Sequence, residues 1–194
     1  MPSPDYKFTN TWFEKHTKSV WEDLLLPEVH DARAYLEIGV CEGRSMIWAL
    51  NCLEQLHTAI GIDLWANGSH YENGNHNILE WSRCNPARLF PVLLTASSQE
   101  VLRDCGDAIP DEEFDLIYVD GSHLAHDALT DYVLCWFKLK VGGIMVMDDY
   151  NRRWHMGRPH SHEAIDAFLH GFEKRYDEHF VIRNPRQVAV RRIK

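Results

Sequence analysis

Five acidic residues stand where apolar runs give way to turns, and their spacing assigns them chemistry. The first run leads into Glu37-x-Gly39-x-x-x-Gly43. Glycines at such a turn let a backbone approach a ligand closely, and the helix that follows offers free N–H groups. A dinucleotide site would carry glycine where this chain has Glu37, whose carboxylate repels a pyrophosphate and suits a cationic ligand instead. The next run ends at Asp63, a position at which open parallel sheets hydrogen-bond ribose hydroxyls. Two later runs end in Asp120-Gly-Ser-His123 and in Asp148-Asp149. Carboxylates gathered in one crevice repel one another, and a hard divalent cation with oxygen ligands, such as Mg²⁺, resolves that repulsion. Successive residues of a strand face opposite ways, so Asp148 and Asp149 share a cation only if the chain turns there.

Such residues need a scaffold that brings strand ends together. Apolar runs at Ala34 to Ile38, Thr58 to Asp63, Leu89 to Leu94, Asp115 to Asp120, Gly143 to Asp148, His179 to Arg183 and Gln187 to Ile193 alternate with helix-period stretches. That alternation predicts an α/β fold in which crossover helices cover a parallel sheet. Met46, Ile47, Leu50, Leu53 and Leu56 form one buried stripe, and Leu124, Ala128, Leu129, Tyr132, Val133 and Trp136 form another. A third helix, with Ala164, Ile165, Phe168, Leu169 and Phe172, precedes two runs too close for a helical crossover, which predicts an antiparallel hairpin. The expectation is a three-layer, seven-stranded, mostly parallel sheet with the last strand antiparallel. Residues 1–30 read as one or two helices with Trp12, Phe13, Val20, Trp21 and a Leu24 to Leu26 run, and 33–193 as the core of a single 1–194 domain. The Asn/Gly-rich stretch from Trp65 to His76 reads as a polar loop, a lid, binding loop or solvated insertion, with a short helix near Ile78 to Cys84 after it.

Glu37, Gly39, Gly43 and Asp63 at this spacing resemble the class I S-adenosylmethionine-dependent methyltransferases, whose sheet is Rossmann-like. Downstream, Ala96-Ser-Ser-Gln-Glu100 is similar to the segment that holds the adenine in catechol-type O-methyltransferases, matching Ser98 and Gln99. Ser45 falls on a serine that contacts the methionine carboxylate. Asp-Gly-x-His at 120–123 with Gly-Gly-x-x-x-x-Asp-Asp at 142–149 resembles the metal-dependent O-methyltransferases of the catechol and macrolide- or aminocoumarin-sugar groups. The resemblance implies Asp120, Asp148 and Asp149 as metal ligands, Asp120 also beside the cofactor, and His123 as general base where the catechol group has lysine. Asp127, four residues on, is expected to orient His123. Asp149 stands where the catechol group has asparagine and Cys41 where it has tyrosine. The expected cofactors are S-adenosyl-L-methionine and Mg²⁺ or another divalent cation. The expected reaction is methylation of a hydroxyl on a small molecule, a sugar or phenolic group. Trp65, Tyr71, Arg152, Trp154 and His155 are candidate substrate contacts, with Arg153 and Arg158 nearby. His160-x-His162 reads as polar loop ahead of a helix capped by Ser161.

Bulk composition narrows the field. Of 194 residues, 20 are Lys or Arg and 29 Asp or Glu, a net charge of -9, which argues against a nucleic-acid or anionic-membrane binder. Five widely spaced cysteines without a CxxC pair fit neither a disulfide framework nor a thiolate zinc site, and with no signal peptide or spanning run they point to the cytoplasm. The N-terminal apolar helices are open to three uses: lid, homodimer contact or packing. Two other functions stay open, a non-methylating, hydroxylase-like relative and a cofactor-binding module without turnover.

Overall fold

The computed structural model describes residues 3–104, 106–150, 160–184 and 186–194. Strand β1 (Ala34–Ile38) is buried at every position, as a strand covered on both faces must be. It pairs in parallel with β2 (Thr58–Asp63) on one side and β4 (Phe114–Val119) on the other. β3 (Val92–Thr95) extends the first side, and β5 (Leu139–Met147) the second. β7 (Val188–Arg192) runs antiparallel between β5 and β6 (Tyr176–Arg183), so the order is β3-β2-β1-β4-β5-β7-β6. The expected seven-stranded sheet with its last strand antiparallel is therefore present. β3 starts later than the sequence suggested, at the residue after Pro91, which cannot donate to a ladder.

Alternating side chains send two cores to opposite faces. Leu36, Ile38, Ile117 and Met145 pack with α6 (Ser98–Asp104), α7 (Ala125–Lys138) and α8 (Ser161–Gly171). Tyr35, Leu116, Tyr118 and Val146 pack with α4 (Arg44–Cys52), α5 (Gly68–Cys84) and the N-terminal helices. Those N-terminal helices are α1 (Trp12–His16), α2 (Lys18–Val20), a π-helical turn (Trp21–Leu25) and α3 (Leu26–Val29). Trp21 is 1% exposed and meets Trp48 and Tyr118 edge-on at 5.1 and 4.8 Å. The helices are thus packed into the core on that face. Among the described residues, no helix is long and apolar enough to cross a membrane.

The Asn/Gly-rich stretch is not a loop: from Gly68 it belongs to the 17-residue α5. Asn67 caps it by accepting from Ser69 N at 3.1 Å. Gly74, Asn77, Ile78, Trp81 and Cys84 form its buried stripe, so the helical period persists although glycine and asparagine are poor helix formers. Packing explains the choice of residues. A Cβ on Gly74 would lie 2.8 Å from the Cys41 carbonyl oxygen, and Asn77 Nδ2 donates to the Glu42 carbonyl at 2.9 Å. Helix α8 also differs locally: its cap is His160, and Ser161 is its first residue, with Oγ directed to the His123 carbonyl at 3.5 Å.

Candidate active site

β1 leads to α4 on one side of the sheet while β4 leads to α7 on the other, and the carboxyl ends of β1 and β4 flank the point where strand order reverses. Open α/β sheets bind ligands in the crevice there. Gly39 has φ +87°, and a Cβ on it would lie 2.0 Å from the Asp120 carbonyl oxygen, so only glycine lets the two strand ends meet. Gly43, at φ +80°, ends the turn at the start of α4. Three non-glycine residues with positive φ also border the crevice or brace it: Cys41 (52°), Trp65 (41°) and Asp149 (63°). Strained backbone of this kind persists where surrounding contacts fix it.

Glu37 is fully buried beneath this turn. It accepts from Tyr35 Oη at 2.7 Å and from Ser45 Oγ. Burial pushes its carboxyl up to about 8, with the Asp63 charge adding to the rise and the two hydroxyl donors opposing it. Glu37 is not among the residues lining the crevice, whereas Ser45 is. Asp63 ties β2 to the glycine turn: Oδ2 accepts from Cys41 N at 2.8 Å and Oδ1 from Trp65 N at 2.6 Å.

Two cavities open over the strand ends, about 400 and 620 Å³, and share Trp12, Gly39, Cys41 and Asp120. The smaller reaches Ser45, Tyr118, Asp148 and Asp149, under residues of α1. The larger reaches Asp63, Ser98, Gln99 and His123. Here the structure adds Asp131, which accepts from Ser98 Oγ at 2.7 Å. Burial raises its carboxyl to about 6, opposed by the Ser98 bond and reinforced by nearby Asp127. Asp131 lies in a helical stretch whose strongest pattern is its apolar stripe, and it received no role from sequence. The signal was Asp127 and Asp131, acids four apart on one flank of α7.

The acidic cluster is arranged differently from the expected set. Asp120, His123 and Asp149 each offer one ligand atom within 4.8 Å of the others, the one such group among the described residues. Asp149 Oδ2 lies 2.6 Å from His123 Nδ1. Asp148, expected as a ligand, is turned into the interior: it accepts from Tyr118 Oη, from Gln187 Nε2 at 2.6 Å and from Asp149 N at 2.5 Å. Burial raises its pKa, and the Asp149 charge adds to that rise. The cause of the split is the left-handed turn at Asp149, which sends the two neighbours to different places. Tyr118 Oη also reaches Asp120 Oδ2, at 3.1 Å.

Asp127 does not orient His123. It accepts from Ser122 Oγ at 2.8 Å and lies 3.2 Å from His126 Nε2. Trp65 and Tyr71 line neither cavity. Trp65 is 7% exposed, its Nε1 donates to the Cys41 carbonyl at 2.8 Å, and Tyr71 stacks edge-on against it at 5.5 Å, so the pair braces the turn. Arg152, Arg153, Trp154, His155 and Arg158 lie outside the described residues.

Chemically, the crevice offers a glycine turn with helix α4 behind it, carboxylates for a polyhydroxylated or cationic ligand, and a mixed carboxylate and imidazole set for a divalent cation. The comparisons agree with that inventory. No curated protein sequence matches the chain. Among solved structures, an O-methyltransferase from Bacillus cereus in complex with SAH is 18% identical, with 97% of this chain and 84% of that one covered and a TM-score of 0.65. A cofactor-bound protein from MTB is 15% identical over 98% and 84%, with a TM-score of 0.69. An O-methyltransferase from Streptomyces achromogenes involved in tomaymycin synthesis, in complex with SAM, is 16% identical over 87% and 77%, with a TM-score of 0.63. At such identities the likeness establishes the fold. A model of the methyltransferase domain matches residues 36–150, from β1 through the Asp149 turn, and with more than half of its length so matched the chain belongs to the family of class I S-adenosylmethionine-dependent methyltransferases.

Proposed function

We propose that this enzyme is a divalent-cation-assisted O-methyltransferase that methylates a hydroxyl of a small molecule, a sugar or phenolic group of a metabolite. The observation that carries the reading is the group formed by Asp120, His123 and Asp149 beside the Gly39 turn, where the two cavities meet. S-adenosylmethionine, when bound, supplies an already reactive sulfonium methyl. Gly39 and Ser45 would hold its methionine end, with Gly43 shaping the turn, Asp63 would meet the ribose, Ser98 and Gln99 would meet the base, and Glu37 would balance the cationic end from below through Ser45. Asp120 and Asp149 would hold the cation, whose charge acidifies an acceptor hydroxyl. Asp148 supports them from behind.

The histidine then has a defined task. With its Nδ1 proton given to Asp149, His123 keeps a lone pair on Nε2, which takes the acceptor's proton. Its side chain is 43% exposed, so the proton passes on to solvent. Trp12 lines both cavities and would limit water there when the cofactor is bound. Holding donor and acceptor at attack distance supplies about 7 to 11 kcal/mol of the barrier reduction. The chain is proposed to work as one unit, residues 12–29 included. Among the described residues Cys41, Cys52, Cys84 and Cys135 form no disulfide, which supports a reducing compartment such as the cytoplasm. A homodimer is part of the proposal only as far as the exposed Trp12 and Leu24, 62% and 51%, offer apolar surface on the N-terminal helices.

The test is methyl transfer from S-adenosylmethionine to a panel of sugars and phenols, with Mg²⁺, Mn²⁺ or EDTA present. The expected result is O-methylation that EDTA abolishes and either cation restores. Tight cofactor binding with no transfer to any hydroxyl would favour a binding module instead, and cation-independent turnover would remove the role given to Asp120 and Asp149.

A further inference from the structure

Within the larger cavity, Ser98 and Asp131 form a pair whose hydrogen-bond polarity is fixed. Ser98 opens α6, and Asp131 lies one turn after Asp127 on α7. The Ser98 hydroxyl donates to Asp131 Oδ1 at 2.7 Å. Both residues line the cavity, next to Gln99 and Gly121. Asp131 is only 2% exposed, and a Cβ built on Gly121 would lie 3.6 Å from its Oδ2, an ordinary contact distance, so Gly121 sits beside the carboxylate. A hydroxyl has one proton to give. With that proton committed to the carboxylate, Ser98 Oγ meets a ligand with lone pairs alone. The ionised carboxylate likewise accepts and does not donate. This part of the wall therefore presents acceptors, and a ligand edge that also presents an acceptor leaves buried groups unpaired.

We propose that Asp131 is a positioning residue for cofactor specificity: through Ser98 it makes the base-binding wall hydrogen-bond accepting, so that the site takes a 6-aminopurine and rejects the 6-oxopurine. The inference rests on the larger cavity being the nucleoside end of an S-adenosylmethionine site. An exocyclic amine gives its protons to such a wall, whereas a 6-oxo group sets acceptor against acceptor. Sites built to hydrogen-bond one partner reject the mispaired analogue by far more than sites built on apolar shape.

Titration calorimetry at pH 8, above the value of about 6 to which burial raises Asp131, keeps the carboxyl ionised. The probes are S-adenosylhomocysteine and its deaminated analogue S-inosylhomocysteine. The wild-type protein is expected to prefer the former by about 100-fold or more. Asp131→Asn, which can present an amide donor or release the Ser98 proton, is expected to narrow that preference to about tenfold or less. Ser98→Ala, which removes the hydroxyl without touching α7, is expected to narrow it as well and serves if the Asn variant does not fold. An unchanged ratio in a folded variant overturns the role of Asp131 while leaving the methyltransferase reading intact. Failure of the wild-type protein to bind S-adenosylhomocysteine at all overturns that reading, and this inference with it.

Discussion

His123 takes its orientation from Asp149, across the crevice, and not from Asp127 on its own side. As the proposed base it predicts that His123→Ala lowers turnover by about 10² to 10⁴-fold while S-adenosylhomocysteine binding stays within about twofold, read by steady-state kinetics and calorimetry. Loss of cation binding in that variant, with the pH profile of the residual rate unchanged, would make His123 a ligand instead. Glu37 carries a proton-linked prediction. Its carboxyl stands at about 8 in the folded protein, above the ordinary 4.5. The folded state therefore holds a proton that the unfolded state has released, and stability falls as pH rises from about 4.5 to about 8. A cationic cofactor held, as proposed, at Ser45 would favour the ionised form. Binding at pH 7 should then release part of a proton, seen as a dependence of the calorimetric heat on the buffer's ionisation enthalpy, and Glu37→Gln should abolish that dependence. The acids and His123 were legible in the sequence because their residue types stand at the ends of apolar runs. Which of them converge was not, since it hinges on the positive φ of one residue, Asp149, next to an Asp148 carboxylate held by Tyr118 and by Gln187, the residue before β7.

At the scale of elements, the glycine turn and α5 hold the crevice in shape together. Gly39→Ala would drive a Cβ into the Asp120 carbonyl and hold an L residue at φ +87°, so the expected loss is about 3 kcal/mol or more, with cofactor binding lost as the β1 and β4 ends part. Gly74→Ala pushes α5 off the Cys41 carbonyl and should weaken cofactor binding although Gly74 itself lines neither cavity. Thermal melts and calorimetry on the two variants separate these effects; unaltered binding in both would show that the turn does not shape the site. The strand and crossover pattern was readable because buried parallel strands are continuous apolar runs bounded by turn residues. Helix α5 was not. Its buried stripe includes Gly74 and Asn77, chosen for close approach and amide bonding, and such residues carry no hydrophobic signal.

At the scale of the molecule, the N-terminal segment closes the structure over its own site. Glu42 accepts from Thr9 N at 2.8 Å and from Thr9 Oγ1 at 2.6 Å, while Asn77 Oδ1 accepts from Lys7 N at 2.6 Å. Further on, Trp21 Nε1 donates to Gln187 Oε1 at 3.0 Å, and the same amide gives its Nε2 proton to Asp148 at 2.6 Å. Gln187 thus links the N-terminal helices to the carboxylate behind the proposed cation site. Gln187→Leu leaves a buried indole N–H without its partner and a buried carboxylate with one donor fewer, and should destabilise the protein by about 3 kcal/mol, read as a lower denaturant midpoint at constant slope. The surplus of acid that the composition records resolves into places: one carboxyl beneath Ser45, one tying β2 to the glycine turn, one behind Ser98, and two beside His123. The most direct measurement is transfer of a labelled methyl group from S-adenosylmethionine to a hydroxyl acceptor by the wild-type protein and by Asp149→Asn, each with Mg²⁺ and with EDTA. The proposed mechanism predicts an ether product from the wild type with Mg²⁺ alone, and at least about 100-fold less from the variant. Equal turnover in EDTA, or an unimpaired variant, would contradict it.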